Sequence, residues 1–198
     1  MSESAHSLPR AILFDMDGTL TCPMLDFPKI KAEMGIANRP ILEALSEMST
    51  ADRIAAEAVL HRHEEQAAAN STLNPGCHEL LETIASRQIK SALITRNSRL
   101  SVTTVLARHA LNIQVLVTRE DAPPKPNPQP LLMACERLRI NRDQAWMVGD
   151  GQYDVEAGCA AGIRTVWLSH GRSRPFEAQP WRTVQDLHEL REMLQSRD

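Results

Sequence analysis

The sequence predicts an α/β protein: a parallel β-sheet core with helices on both faces, and a small all-helical segment inserted after the first strand. Three observations carry this. Ala11–Phe14 is an apolar run closed by Asp15, the pattern of a strand covered above and below. From residue 75 onward, short apolar runs alternate with helical patterns, and strands spaced by one helix each imply right-handed crossovers and a parallel sheet. Between residues 22 and 74 no strand pattern occurs. The expected division is a core of residues 8–21 and 75–198 and a helical insert of residues 22–74.

The elements follow in order. After the first strand, Phe27–Met34 reads as a short helix ended by Gly35. Pro40 suits the start of a second helix, Ile41–Met48, with Ile41, Leu45 and Met48 on one face. Thr50 is placed to cap a long helix, Ala51–Asn70, with Ile54, Ala58 and His61 expected inside and Glu57, Glu64 and Glu65 in water. The turn Asn74-Pro75-Gly76 opens a helix with Leu80, Leu81 and Ile84 on one side. Ile89–Thr95 is the second strand, Ser98–Leu111 a helix with Val102, Val105 and Leu106 inward, and Ile113–Thr118 the third strand. Pro128–Leu138 is a helix, Ala145–Asp150 the fourth strand, Val155–Gly162 a helix, Ile163–Leu168 the fifth strand and Leu187–Leu194 the closing helix. The arrangement is Rossmann-like, with Trp146 and Trp167 in the core.

The totals are those of an ordinary globular protein. The 198 residues are 42% apolar and 24% charged, enough for a real core. A net charge of -3 offers no basic stripe to nucleic acid and no polybasic patch to a membrane. Met1–Arg10 is mostly polar, with no apolar run fit for a signal peptide, so a cytoplasmic location is expected. Cys22, Cys77, Cys135 and Cys159 lie far apart, which points to buried or inert thiols.

Four strand ends carry polar groups able to meet over one edge of the sheet, where ligands of open α/β sheets bind. They are Asp15 and Asp17; Thr95 with Arg96 and Asn97; Lys125 beyond the third strand; and Asp150 with Asp154. Together they suit a phosphate monoester. Of two carboxylates two residues apart, one attacks phosphorus while the other donates a proton to the leaving group. The Thr95 hydroxyl and the Lys125 ammonium hold phosphoryl oxygens, and Asp15, Asp150 and Asp154 suit Mg2+, which prefers carboxylate and water oxygens. Gly18 lets the chain turn sharply against a ligand, and Gly18, Thr19, Arg96 and Asn97 are further candidates for substrate contact. Arg96 either faces the substrate or pairs with a surface carboxylate.

The strings Phe14-Asp-Met-Asp-Gly-Thr-Leu-Thr21, Leu93-Ile-Thr-Arg-Asn97, Lys125-Pro-Asn-Pro128 and Gly149-Asp-Gly-Gln-Tyr-Asp154 resemble the four ordered motifs of the haloacid dehalogenase-like hydrolases. The resemblance is narrower to the phosphoglycolate-phosphatase-like branch, in which a helical cap interrupts the chain after the first strand. It implies that Asp15 is a nucleophile forming an aspartyl-phosphate and also binds magnesium. Asp17 matches the acid/base, whose backbone carbonyl also reaches the metal. Thr95 and Lys125 match the phosphate holders, Asp150 the main acidic metal ligand, and Asp154 an acid assisting the metal or Lys125. The implied activity is magnesium-dependent hydrolysis of a small phosphorylated metabolite. Gly151 stands where many relatives have serine, and the insert is shorter than the usual cap of the branch, so it is expected to enclose only a small leaving group or to leave the site partly open.

Other readings differ in particular residues. A phosphomutase or phosphotransferase of the same family would retain the aspartyl-phosphate and exclude water, typically under a fuller cap. A phosphoreceiver domain places its acidic pair before the acceptor strand and has no helical insert. A non-catalytic phospho-ligand binder would be expected to lose Asp15, Asp17 or Lys125, and all are present. A dehalogenase proper needs neither metal nor the second aspartate. His61-x-His63 faces two sides of a helix and is read as a solvated surface, not a metal pair. Lys29, Lys31, Arg39, Arg53 and Arg62 in the insert are candidates to meet a second anionic group, and each also suits plain surface. Oligomeric state is not legible.

Overall fold

The computed structural model describes residues 8–37, 39–173 and 176–196. Its strands are β1 (Ala11–Phe14), β2 (Lys90–Ile94), β3 (Val115–Val117), β4 (Ala145–Gly149), β5 (Arg164–Leu168) and β6 (Arg182–Val184). All pair in parallel, in the order β3-β2-β1-β4-β5-β6. The helices are α1 (Phe27–Met34), α2 (Ile41–Glu47), α3 (Thr50–Asn70), α4 (Cys77–Ser86), α5 (Arg99–Arg108), α6 (Gln129–Leu138), α7 (Gln152–Ala161) and α8 (Leu187–Gln195).

The first strand is central because it is apolar on both faces. Phe14 lies opposite Leu93 on one side and Val148 on the other. Ile12 and Phe14 enter a core formed with α4, α5 and α8, while Ala11 and Leu13 enter a second formed with α6 and α7. This period-two alternation into two apolar layers anchors Asp15 at the sheet's carboxyl edge. Trp146 and Trp167 are buried, as expected. The four cysteines are free; Cys77 and Cys135 are buried, Cys22 is half-buried, and Cys159 is exposed. Burial pushes the Cys77 thiol up to about 12 and that of Cys135 to about 11, which keeps both protonated.

Helices α1 to α3 have their own small core, in which Ile30, Ile41, Leu45 and Leu60 meet. Asp26 caps α1 by accepting from the Lys29 N–H at 3.0 Å, and Gly35 ends it at φ +68°. The expected inner face of α3 is wrong. Ala56, Leu60, Glu64 and Ala68 are buried, while Ile54 is 64% exposed and Ala58 lies outside. The alanine-rich helix has no decisive apolar stripe, so an ion pair made by Glu64 and packing against α5 set its rotation. Its cap is Ser49, not Thr50: the Ser49 hydroxyl accepts from the Asp52 N–H at 3.3 Å. His63 is also less wet than expected, since it meets Glu33 at 3.1 Å with its side chain 12% exposed.

Strand β6 was not expected. It has three residues, only Val184 is buried, and it sits at the sheet edge, so its apolar signal is slight. Helix α7 begins three residues before the expected Val155, which brings Asp154 into its first turn. The two linkers joining insert to core run together. Thr21 bridges Leu73 antiparallel, the Cys22 N–H donates to the Thr72 carbonyl at 2.9 Å, and the Asn74 N–H to the Leu20 carbonyl at 2.9 Å. The Asn74 amide also donates to the carbonyls of Thr19 at 2.8 Å and Thr21 at 3.2 Å, tying the hinge to the loop that follows Asp15.

Candidate active site

Asp15 leaves β1 with its N–H bonded to the Val148 carbonyl at 2.9 Å, so the strand ladder itself orients it. The chain then closes on itself: the N–H groups of Thr19, Leu20 and Thr21 converge on the Met16 carbonyl at 3.0–3.2 Å, and Gly18 donates to Thr21 at 2.8 Å. Gly18 has φ +80°, and a Cβ there would stand 2.5 Å from Asp150 Oδ2. The absent side chain is what lets Asp150 approach the loop. The N–H groups of Gly18 and Thr19, both candidates for substrate contact, are spent inside the turn, and neither residue is among those lining the cavity. The Thr19 hydroxyl is buried without a partner.

Lys125 is the electrostatic centre. Its buried ammonium donates to Asp15 Oδ1, Asp154 Oδ1 and the Ile94 carbonyl, each at 2.6 Å. Asp154 is fixed by its second oxygen, which accepts from the Gly151 N–H at 3.0 Å. A Cβ on Gly149 would lie 2.3 Å from the Asp154 carboxyl carbon, so a glycine is again required for the approach. Burial pulls the Lys125 ammonium down, but Asp15 and Asp154 outweigh it and hold its pKa above the ordinary value. Burial pushes Asp15 up to about 8, with Lys125 pulling against it and Asp154 adding to it. Burial likewise raises Asp150, with Asp154 adding and Arg172 opposing.

Oxygens of Asp15, Asp150 and Asp154 all lie within 4.8 Å of one another. Lys125 serves Asp15 and Asp154 together, and Asp150 meets only the half-exposed Arg172, so the three acids outnumber the cations beside them and fit a hard divalent cation. The Asp17 carboxylate stands apart from this trio. It accepts from the Asn97 amide and from the Thr21 hydroxyl, the latter at 3.3 Å. Burial raises Asp17 above its ordinary value despite those bonds, which suits a proton carrier. Asn97 is thereby engaged with Asp17, and Thr95 accepts from the Asn97 N–H at 3.2 Å.

Over these groups lies a cavity of about 690 Å³, floored by Asp15, Asp17, Thr95 and Lys125 and walled by Phe27 and Ile41 of the insert. That volume lies well inside the usual range of small-molecule sites, roughly 300–1,000 Å³. Among the described residues, Lys31 is the one cation of the insert that lines it. Arg39, Arg53 and Arg62 pair with Glu47, Glu57 and Glu33. Arg96 lines the cavity and pairs with Glu43 of α2, the surface-carboxylate alternative of its two expected roles.

Several participants had no sequence signal. Arg172 Nη2 pairs with Asp150 Oδ2 at 3.0 Å, and Trp167 Nε1 donates to the Asp150 carbonyl at 2.9 Å. His170 Nε2 lies 2.6 Å from the Gly18 carbonyl, which can only accept, so that nitrogen carries the proton. Both Arg172 and His170 follow β5, whose end lies at the same sheet edge, and only that position hinted at them. Glu64 pairs with Arg119 across the insert and core.

The sequence profile of the haloacid dehalogenase-like hydrolases matches residues 24–168. The chain belongs to this family. The matched span begins after Asp15 and Asp17, but full-length comparison covers them. A haloacid dehalogenase-like hydrolase domain-containing protein of Arabidopsis thaliana is 31% identical over 99% of this chain and 88% of its own length. A plasmid-borne phosphoglycolate phosphatase of Cupriavidus necator is 31% identical, over 85% of each chain. The resemblance to the phosphoglycolate-phosphatase-like branch therefore holds. A hydrolase of Pseudomonas syringae has the same fold, with a TM-score of 0.80 at 21% identity, covering 94% of this chain and 98% of that one. No helix among the described residues is long and apolar enough to cross a membrane.

Proposed function

We propose that this hydrolase is a magnesium-dependent phosphatase, cleaving a small phosphorylated metabolite through an aspartyl-phosphate on Asp15. The observation that carries the reading is the buried ammonium of Lys125 held between Asp15 and Asp154, beside Asp150 and below a cavity that Asp17 also lines. A chain that only bound a phosphorylated partner would have no need of a second buried carboxylate with a raised pKa at the cavity floor.

Asp15, Asp150 and Asp154 would hold Mg2+, with the Asp17 carbonyl as a further ligand. When bound, the ion neutralises phosphoryl charge and so lets a carboxylate approach an anion. The remaining chemistry belongs to side chains. The free Asp15 oxygen attacks phosphorus as the bond to the leaving oxygen breaks, and the Asp17 carboxyl gives that oxygen its proton. Lys125 and the Thr95 hydroxyl hold the phosphoryl oxygens. Asp17, now ionised, takes a proton from water as the water oxygen attacks phosphorus, releasing phosphate and restoring Asp15. Asn97 and Thr21 keep the Asp17 carboxyl aimed at the cavity. The insert, hinged at Thr21–Leu73, acts as a lid against bulk water.

The test is phosphate release from a panel of monoesters with magnesium, then with chelator, and for Asp15→Asn. Chelation and the substitution are each expected to abolish turnover. Normal turnover by Asp15→Asn would transfer the attack to water and refute the covalent route.

A further inference from the structure

Beyond β5 the chain reverses over Ser169–Arg172, and this turn touches both the loop after Asp15 and the loop of Asp150. The Arg172 N–H donates to the Ser169 carbonyl at 3.0 Å, with φ +51° at His170 and +72° at Gly171. Two successive positive φ values closed by that bond are the signature of a type I′ turn. Glycine fills the second position, but His170 carries a Cβ in the left-handed region, where a side chain is costly. The flanks hold it there. The Ser169 and His170 N–H groups donate to the carbonyls of Val184 at 2.8 Å and Gln185 at 3.0 Å, and the Ser169 hydroxyl donates to Val184 at 3.1 Å. His170 is exposed, so burial of its ring does not account for a costly residue at this point. Backbone strain that the surroundings hold in place beside a reactive site points to a task for the side chain.

The task is visible in what the turn reaches. His170 Nε2–H donates to the Gly18 carbonyl at 2.6 Å. Two residues on, Arg172 Nη2 donates to Asp150 Oδ2 at 3.0 Å and to the Asp150 carbonyl at 3.2 Å, while its Nε is anchored on the Ser169 carbonyl at 2.9 Å. Gly18 and Asp150 are where the two loops meet, since a Cβ on Gly18 would stand 2.5 Å from Asp150 Oδ2. One side chain of the turn therefore grips each partner of that contact. The Thr19 and Thr21 carbonyls are taken by Asn74, so the hinge secures the later part of the first loop and His170 the earlier.

We propose that the Ser169–Arg172 turn is a clamp on the two loops, with His170 and Arg172 as positioning residues. His170 fixes the Gly18 peptide, Arg172 fixes Asp150, and the turn between them sets the spacing at which Asp17 meets the leaving group and Asp150 meets the metal. The inference rests on the phosphatase reading and adds that its two loops are aligned from a strand end that contributes no reacting group. The competing reading is that the turn only joins β5 to β6, in which case its side chains affect stability alone.

The experiment measures kcat and KM with magnesium on 4-nitrophenyl phosphate and on the monoester panel, well below the melting temperature of each variant. Magnesium binding is measured separately, by calorimetry on protein stripped with chelator. His170→Asn suits the left-handed position but is too short to reach Gly18, so it keeps the turn and removes the bond. His170→Gln keeps an N–H at the reach of the imidazole nitrogen. His170→Asn is expected to lower kcat roughly tenfold, as misplacing a reacting group does, and to leave KM within about threefold because Thr95 and Lys125 are untouched. It should also weaken magnesium binding, and His170→Gln should recover most of both losses. Arg172→Gln should lower kcat similarly. The double variant with His170→Asn should lose no more than the worse single one, since one clamp opens only once. Unchanged kcat or unchanged magnesium affinity in His170→Asn overturns the proposal. So do equal losses in His170→Asn and His170→Gln, and so does a double variant whose losses multiply, because two independent contacts are not a clamp. Inactivity of the wild type on every monoester, the aryl phosphate included, overturns the phosphatase reading itself and this inference with it.

Discussion

Replacing Asp15 with asparagine should destroy activity and yet stabilise the metal-free protein at alkaline pH. Burial moves the Asp15 carboxyl from its ordinary 3.8 to about 8. A group whose folded-state pKa is raised contributes stability that is complete below the unfolded pKa and lost as pH rises through the folded one. The loss therefore runs from about pH 4 to about pH 8, and Asp17 and Asp150, also raised by burial, act in the same direction. At face value a shift of this size is an upper bound of roughly 6 kcal/mol. Asp15 shares Lys125 with Asp154, and relaxation of that cluster will return part of it, so about 2–3 kcal/mol is the working expectation. For a chain of this length that is roughly 5–10 °C in Tm.

The assay is thermal unfolding with excess chelator from pH 5 to 9, for the wild type and Asp15→Asn, repeated with saturating magnesium. The chelated wild type should lose stability with rising pH, the variant should lose less, and the two curves should separate most near pH 8 to 9. Magnesium should restore the wild type increasingly as pH rises, because the ion needs the ionised carboxylate, and should do less for the variant. A flat chelated profile in the wild type, or identical slopes in both proteins, would refute the assignment of a buried, under-compensated charge to Asp15.

Two further outcomes follow from the geometry. Asp17→Asn should retain substrate binding but lose proton transfer, lowering kcat by roughly 10² to 10⁴-fold, measured by steady-state phosphate release with a binding control. Gly18→Ala places a Cβ 2.5 Å from Asp150 Oδ2 at φ +80°, so Asp150 must retreat. It should cost about 1–2 kcal/mol in backbone strain alone and raise the magnesium concentration needed for half-activity, both readable from a denaturation curve and a metal titration.

The sequence alone determined the central strand, the helix-spaced parallel sheet, the helical stretch after the first strand, and the edge at which Asp15, Thr95, Lys125 and Asp150 gather. These are local properties: an apolar run ending in a carboxylate, a turn residue and a period are each written within a few positions. Tertiary structure alone decided how α3 turns, burying Glu64 and exposing Ile54, because an alanine-rich helix takes its rotation from its neighbours. It also decided that Gly18 and Thr19 spend their N–H groups inside the turn, that Arg172 and His170 come from beyond β5 to Asp150 and Gly18, and that α2 sets Glu43 against Arg96. Arg96 and Glu43 are separated by 53 positions. No local pattern encodes which distant charge a long side chain will meet, since that depends on the packing of two elements whose own sequences are silent about each other.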